Sequence, residues 1–240
     1  MRLLIHINLQ KSLELPINYH HILQGVIYKG LSNHKGYSTF VHNEGYHYEK
    51  RQFKMFTFSN LEGKYFIRNK RIRFEDEVKW EIRSPEILFI QTLAASFGQE
   101  GISFLGDTYK DLTVKLLDDE IEEDDIIVRM RMPICLYSTE PETKKMYFYR
   151  PDEILFYQLL ADNFERKYQA CYGVKPEEAI EVLPVEVCER DKYVTRYKNC
   201  YISGWRGTYR IKGKRKYLNF LYATGLGSKN SQGFGMFEVI

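Results

Sequence analysis

Cysteine is scarce in this sequence and never occurs in a metal-binding pair. The four cysteines in 240 residues include no Cys-x-x-Cys motif. That spacing excludes a common zinc knuckle and gives no sign of a disulfide framework. We therefore expect a protein of the reducing cytoplasm. Neither a metal nor a cofactor is among the predicted ligands. The cysteines are Cys135, Cys171, Cys188 and Cys200.

Long hydrophobic runs are also missing. No stretch approaches the roughly 18 apolar residues of a membrane span. The apolar start, Met1 to Leu9, is short and interrupted by His6, so it is typical of a strand rather than a signal peptide. A hydrophobic content of 44% with 28% charged residues is ordinary for a globular protein, and 240 residues can form two domains of about 100–120 residues.

The small net charge of +3 hides a strong asymmetry. Residues 192–240 contain ten Lys or Arg against one acid, and residues 50–73 contain eight against one. In contrast, seven of the eight residues 118–125 are acidic, which is typical of a solvated linker. Two basic stretches in an otherwise acidic chain favour binding of a polyanion, although a solvated surface could have the same composition.

Periodicity predicts the same succession of elements twice. Pro16 begins a helical pattern after the first strand, and Pro151 opens a second, longer one. Each half reads β-α-β-β-α-β, the order of a ferredoxin-like fold with an antiparallel sheet and helices on one face. The sequence therefore predicts an α+β protein with tandem ferredoxin-like (RRM-like) domains over residues 1–118 and 119–240. Further strands are predicted at 53–59, 64–67, 71–74, 78–82 and 126–137, and a helix from Ser84-Pro85-Glu86 to Gly98.

Four glycines lie close together near the end of the chain. Gly225, Gly227, Gly233 and Gly235 surround Lys229. Glycine allows positive φ and leaves backbone N–H groups uncovered, so this stretch is suited to bind phosphate. Asn230 stands where a third glycine of Gly-x-Gly-x-x-Gly would fall, and no Gly-Lys-Ser/Thr follows, so neither common nucleotide loop is present. We expect the loop to bind the backbone of a polymer; a simple glycine hairpin is the alternative.

Three further motifs occur in the first half. They are Leu23-Gln-Gly-Val-Ile-Tyr28, His42-Asn-Glu-Gly-Tyr46 and Phe53-Lys-Met-Phe-Thr-Phe-Ser59. Together with the terminal Gly-x-Gly-x5-Gly-x-Gly, their order and distances resemble the CRISPR-associated endoribonucleases that cut repeat RNA, the "Cas six" group of the repeat-associated RNA-binding superfamily. The resemblance spans nearly the whole chain.

The resemblance implies cleavage of precursor CRISPR RNA within each repeat, without a metal. The attacking group would be the substrate's own 2′-hydroxyl, leaving a 2′,3′-cyclic phosphate and a 5′-hydroxyl. The family's catalytic tyrosine, histidine and lysine carry over to Tyr28, His42 and Lys54. Histidine suits proton transfer near neutral pH and lysine suits charge stabilisation. His47, five residues after His42, is the alternative histidine.

A wider set of residues is predicted to contact RNA phosphates. It comprises the glycines Gly225, Gly227, Gly233 and Gly235 with Lys229, and the preceding basic residues Arg206, Arg210, Lys212, Lys214, Arg215 and Lys216. The expected partner is CRISPR repeat RNA, with CRISPR effector subunits or a second copy of the chain as further partners. Two other interpretations remain open here: a non-catalytic repeat-RNA-binding subunit, and a phosphate-binding enzyme unrelated to RNA.

Overall fold

The computed structural model describes residues 1–32, 34–197 and 200–240. Its helices are α1 His20–Gly30, α2 Lys35–Thr39, α3 Ile87–Glu100, α4 Ile154–Tyr172 and α5 Arg215–Thr224. Its strands are β1 Arg2–Asn8, β2 Leu13–Pro16, β3 Tyr46–Tyr48, β4 Arg51–Phe53, β5 Thr57–Phe58, β6 Glu62–Arg68, β7 Arg71–Arg83, β8 Ile102–Phe104, β9 Asp107–Tyr109, β10 Leu112–Leu117, β11 Asp125–Met130, β12 Tyr137–Thr139, β13 Met146–Phe148, β14 Glu181–Glu186, β15 Lys192–Tyr197, β16 Cys200–Trp205, β17 Thr208–Lys212 and β18 Phe237–Val239.

Two antiparallel sheets share one strand order. In the first sheet β10 pairs with β1, β1 with β7, and β7 with β6, while β2 and β5 add short pairings to β7. In the second sheet the order is β18, β11, β17 and β14. Each series places the last strand beside the first and the first beside the third, which is the ferredoxin-like arrangement. The prediction of tandem ferredoxin-like folds is confirmed.

Each sheet has its own hydrophobic core. In the first, Leu23 and Ile27 of α1 pack with Phe89 and Leu93 of α3 against the strands. In the second, α4 and α5 contribute side chains such as Phe164 to a separate cluster. The first sheet ends at Leu117 and the second begins at Asp125, while the exact domain boundary at residue 118 stays a prediction.

Several predicted element boundaries are wrong. Pro16 ends β2 rather than beginning a helix, and α1 begins at His20. The predicted strand 53–59 is broken after Phe53 and resumes at Thr57. β7 is continuous through both segments predicted at 71–82, with Asp76 at φ 62° marking an irregular residue within it. α3 passes Gly98 and ends before Gly101, whose φ of 79° stops the helix.

A buried charge cluster joins the two halves. Arg83, at the end of β7, is 1% exposed and binds Glu81 and the carbonyl oxygen of Phe237 at 2.7 Å. Glu81 also accepts from Arg131, which follows β11. These contacts connect the first sheet to residues of the second, and burial makes their geometry costly to disturb.

The acidic run between the sheets is less free than a solvated linker. Asp119 pairs with Arg2, Asp125 binds Arg210 through both oxygens, and Asp124 lies 3.8 Å from Arg215.

The described residues contain no helix long and apolar enough to cross a membrane.

Candidate active site

Tyr28 lies on the last turn of α1. Its ring is half-buried and meets the edge of Phe56, with ring centroids 6.1 Å apart. Burial, with a smaller effect from Tyr197, raises the pKa of Tyr28 to about 12, against a lowering by its hydrogen bond with Gln24. The phenol therefore stays protonated at neutral pH and acts as a hydrogen-bond donor, which makes it a poor base.

His42 lies in a π-helical turn formed by Phe40–Glu44. The Gly45 N–H closes this turn by donating to the Phe40 carbonyl oxygen at 2.6 Å. Such turns are rare in proteins, and those that occur are frequently at functional sites. The His42 side chain is exposed, and its Nδ1 lies 2.6 Å from Asn43 Oδ1. The residues 37–46, called the His42 segment below, thus present an accessible imidazole.

Lys54 reaches the same turn from the break between β4 and β5. Its Nζ donates to the His42 carbonyl oxygen at 2.9 Å. Gly45 has φ of 63°, and a Cβ there would lie 2.5 Å from the Phe53 oxygen and 3.1 Å from Lys54 Nζ. Gly45 therefore leaves the space that lets Lys54 approach. Partial burial lowers the pKa of Lys54, against a smaller raising effect from Glu44.

The structure brings the three predicted catalytic residues together. The rings of Tyr28 and His42 meet edge to face, with centroids 4.7 Å apart, and Lys54 bonds the His42 backbone. A phenol and an ammonium group therefore both contact the residue that bears the exposed imidazole. The three groups supply a proton acceptor, a hydrogen-bond donor and a positive charge, the functional groups that phosphodiester cleavage requires.

His47 lies outside this cluster. It is exposed on β3, opposite Gln52 of β4. Within the described chain, no hydrogen bond or ring contact joins its side chain to Tyr28 or Lys54. Gln52 itself donates to the backbone oxygens of Asn43 and Glu44, so the β3–β4 hairpin supports the His42 segment.

The glycine-rich segment, residues 225–235, is packed into the protein. All four glycines have φ between 69° and 84°, as the sequence predicts. They are also buried, which was not predicted. A Cβ at Gly235 would lie 2.0 Å from the Leu226 oxygen, and one at Gly233 would lie 2.8 Å from the Phe58 ring. The glycines are thus required by close packing as well as by backbone conformation.

The expectation of uncovered amides holds for only part of this segment. The N–H groups of Leu226, Ser228 and Gly235 donate to the oxygens of Gly235, Cys135 and Pro133, respectively. Gly225, Gln232 and Gly233 also use their N–H groups within the protein. Many of the amides that were expected to hold phosphate therefore stabilise the loop instead.

Two side chains that the sequence analysis missed hold the glycine-rich segment in place. Lys167 of α4 is fully buried and donates to the Gly225 oxygen at 2.5 Å and to Asn230 Oδ1 at 3.0 Å. Gln24, one helical turn before Tyr28, donates to the Ser231 oxygen at 2.6 Å and accepts from the Tyr197 hydroxyl at 2.5 Å. The bond to Ser231 connects the segment to the helix that bears Tyr28. In the sequence, only the position of Gln24 one helical turn before Tyr28 could have indicated this contact.

The basic residues before the glycine-rich segment are mostly neutralised. Carboxylates pair with Arg210, Lys212, Lys214, Arg215 and Lys216. Among the described residues, Arg206 and Lys229 have no ion pair; they lie over the rings of Tyr193 and Tyr137 at 5.2 and 4.4 Å. RNA would have to compete with these carboxylates for the five paired residues, whose contact with RNA stays a prediction.

Comparison with known proteins identifies the family. The family model described as "CRISPR associated protein Cas6, C-terminal" matches residues 116–239. A CRISPR-associated endoribonuclease Cas6 of Methanocaldococcus jannaschii is 30% identical over 98% of this chain and 91% of that protein. The chain belongs to the Cas6 endoribonuclease family. A Cas6 endoribonuclease of Pyrococcus furiosus is 25% identical over 100% of this chain and 90% of that protein.

Solved structures of Cas6 proteins share the fold over the whole chain. A structure described as CRISPR associated protein Cas6 has a TM-score of 0.73 at 26% identity, covering 100% of this chain and 99% of the other. A RAMP protein described as binding different RNA substrates has a TM-score of 0.81 at 20% identity with the same coverage. The second likeness bears on the fold alone.

Proposed function

We propose that this Cas6 protein cuts precursor CRISPR RNA within its repeats by attack of the substrate's own 2′-hydroxyl. The 2′-oxygen forms a bond to the adjacent phosphorus, and the bond from phosphorus to the 5′-oxygen breaks. The products are a 2′,3′-cyclic phosphate and a free 5′-hydroxyl. The observation that carries this proposal is the convergence of Tyr28, His42 and Lys54 in a member of this endoribonuclease family.

His42 is the proton-transfer group in this proposal. Asn43 Oδ1 can only accept, so its contact with Nδ1 favours a proton on that nitrogen. Nε2 is then the nitrogen that accepts a proton from the 2′-hydroxyl or, when the ring is protonated, donates one to the departing 5′-oxygen. Both roles use the same ring nitrogen.

Tyr28 and Lys54 act on the phosphate. A phenol whose pKa is raised to about 12 donates a hydrogen bond to a phosphate oxygen or to the departing oxygen without ionising. The Lys54 ammonium group stabilises the extra negative charge of the phosphorane. Because burial lowers the pKa of Lys54, its ammonium is also a stronger acid than an exposed lysine.

RNA binding extends beyond the reacting phosphate. A structure of the same fold is described as a Cas6 product complex, and a RAMP protein of this fold is described as binding different RNA substrates. We expect Lys229 and Arg206, which lack ion pairs among the described residues, to contact RNA in preference to the five residues that carboxylates neutralise. We also propose that the protein associates with CRISPR effector subunits or with a second copy of itself. Size-exclusion chromatography with and without RNA tests this.

The proposal is tested with the cognate repeat RNA in excess EDTA. Beside it runs the same RNA with a 2′-deoxy substitution at the scissile nucleotide. We expect the unmodified RNA to be cut despite the chelator, and the deoxy RNA to be bound equally well but left whole. Tight binding with no cleavage of either RNA would favour a non-catalytic repeat-binding subunit. Cleavage of the deoxy RNA would contradict attack by the 2′-hydroxyl.

A further inference from the structure

Glu86 lies outside the catalytic cluster, immediately before α3. Its half-buried carboxylate accepts a hydrogen bond from the Tyr37 hydroxyl, and the Tyr46 hydroxyl interacts with the same carboxylate. No ion pair involves Glu86 in the described part of the chain. Two tyrosine hydroxyls are therefore its partners.

These two tyrosines stand on either side of His42. Tyr37 precedes it by five residues and Tyr46 follows it by four. The ring of Phe40 lies between them, stacked on Tyr37 at 6.4 Å and edge-on to Tyr46 at 5.3 Å between centroids. Both ends of the His42 segment thus converge on a single carboxylate.

The position of Glu86 is itself fixed relative to Lys54. The Glu86 N–H donates to Ser84 Oγ at 3.1 Å, and that hydroxyl donates to the Met55 carbonyl oxygen at 2.7 Å. Met55 directly follows Lys54 and is 2% exposed. One short path of hydrogen bonds therefore relates the His42 segment to the chain that carries the lysine.

We propose that Glu86 is a positioning residue for His42: through Tyr37 and Tyr46 it ties both ends of the His42 segment to the start of α3. This inference rests on the proposed role of His42. The imidazole is exposed, and its own contacts are a neighbouring amide and the edge of one ring. A displacement of about 1 Å can reduce a catalysed rate by about 10²-fold, so the backbone that carries His42 must be held in place. Lys54 and Gln52 bond the middle of the segment, and Glu86 holds its two ends.

A carboxylate suits this role better than its amide analogue. An ionised glutamate accepts hydrogen bonds through two oxygens, and bonds to a charged group are about twice as strong as neutral ones. Glutamine keeps one uncharged acceptor oxygen, and its NH2 group cannot accept, so it should hold the two tyrosine hydroxyls less strongly. We therefore expect the effect on rate to follow the order Glu86→Ala, Glu86→Gln, wild type.

The test measures the single-turnover cleavage rate at saturating protein, the RNA dissociation constant and the melting temperature. We expect Glu86→Ala to reduce the rate by about 10–100-fold, and Tyr37→Phe and Tyr46→Phe by about 3–10-fold each, with RNA affinity changed less than about twofold. The matched control is another tyrosine–glutamate pair before a helix: Tyr147 donates to Glu153 at 2.6 Å just before α4. Tyr147→Phe and Glu153→Ala should keep the wild-type rate.

A second comparison separates positioning from general destabilisation. In a His42→Ala background, Glu86→Ala should cause no further loss of rate, because it acts through the imidazole. Equal losses with and without His42 would overturn the inference, as would a wild-type rate in Glu86→Ala and in both tyrosine variants while His42→Ala is inactive. Full activity of His42→Ala would overturn the proposed role of His42, on which this inference rests, but would leave the proposed RNA cleavage in place. If Glu86→Ala does not fold, the two Phe variants decide, because each removes one hydroxyl only.

Discussion

The His42 segment and the glycine-rich segment are both functional candidates, yet they are built in opposite ways. The first carries an exposed imidazole, which meets the half-buried phenol of Tyr28, and Lys54 bonds its backbone. The second is buried around its glycines, and several of its amides are already paired with the protein. Groups that react with a substrate are accessible and have few partners, whereas glycines that suggest a ligand loop can instead be required by packing.

This comparison predicts where substitutions act. In the His42 segment, loss of a side chain should reduce the cleavage rate with little change in stability. In the glycine-rich segment, added bulk or a lost hydrogen bond should reduce stability first and RNA binding as a consequence. The expected effects follow from the largest to the smallest.

Gly235→Ala is expected to reduce stability most. The added Cβ would lie 2.0 Å from the Leu226 oxygen in a backbone at φ 77°, so both overlap and conformation oppose it. We expect a loss of about 4 kcal/mol or no folded protein. Chemical denaturation measures this. Gly98→Ala is the control, because α3 has open space there and alanine should be neutral or stabilising. A small loss for Gly235→Ala would refute the packing account.

Lys54→Ala should reduce the single-turnover rate by about 10²–10³-fold, the usual scale for losing a group that stabilises transition-state charge. The melting temperature should change little, since the ammonium makes a single bond to the His42 oxygen. The sign of its pKa shift adds a second measurement. Burial lowers the pKa of Lys54, so activity should fall as pH rises through a value below the usual 10.5. Lys54→Arg should move that alkaline loss to higher pH; an unchanged profile would contradict the role.

Lys167→Met should cost about 2–3 kcal/mol, because it leaves two buried acceptors, the Gly225 oxygen and Asn230 Oδ1, without a donor. Burial lowers the pKa of Lys167 to about 7. Between this value and 10.5 the unfolded chain binds the extra proton, so wild-type stability should rise with pH by roughly 1 kcal/mol per unit. Denaturation of Lys167→Met between pH 7 and 9 should lack this slope. Lys175→Met, at an exposed ion pair, is the control and should keep it.

The smallest effects concern RNA affinity. Lys229→Ala and Arg206→Ala should each weaken binding and lower the salt slope of the association constant by about 0.7, the value for one single-strand phosphate contact. Arg210→Ala should change affinity less than about twofold, because Asp125 already holds its guanidinium through two bonds. Binding titrations over a range of salt measure this difference. A larger effect from Arg210 would mean that RNA displaces Asp125.

The fold was predictable because its signals are local. Strand and helix patterns occur in each half, and the longest helix pattern is that of α4. Recognising them requires no knowledge of distant contacts. The positive φ of Gly225 and Gly235 was predictable for the same reason, since it depends on the residue type. The catalytic residues came from resemblance to the family and not from periodicity.

Distant partners explain what the sequence could not predict. The sequence near Arg210 shows no partner for it, whereas the fold brings Asp125, 85 residues earlier, within hydrogen-bond distance. Lys214 is likewise paired with Glu177, 37 residues earlier. The burial of Lys167 against Gly225 crosses 58 residues. Composition gives the number of charges but not their partners, so these ion pairs were not predicted.

The central claim is that His42, and not its neighbour His47, transfers the proton. The most direct test compares His42→Ala with His47→Ala in single-turnover cleavage at saturating protein, with RNA affinity measured in parallel. We predict a loss of about 10²–10⁴-fold for His42→Ala with affinity nearly unchanged, and a rate close to wild type for His47→Ala. Full activity in His42→Ala together with a large loss in His47→Ala would contradict the account.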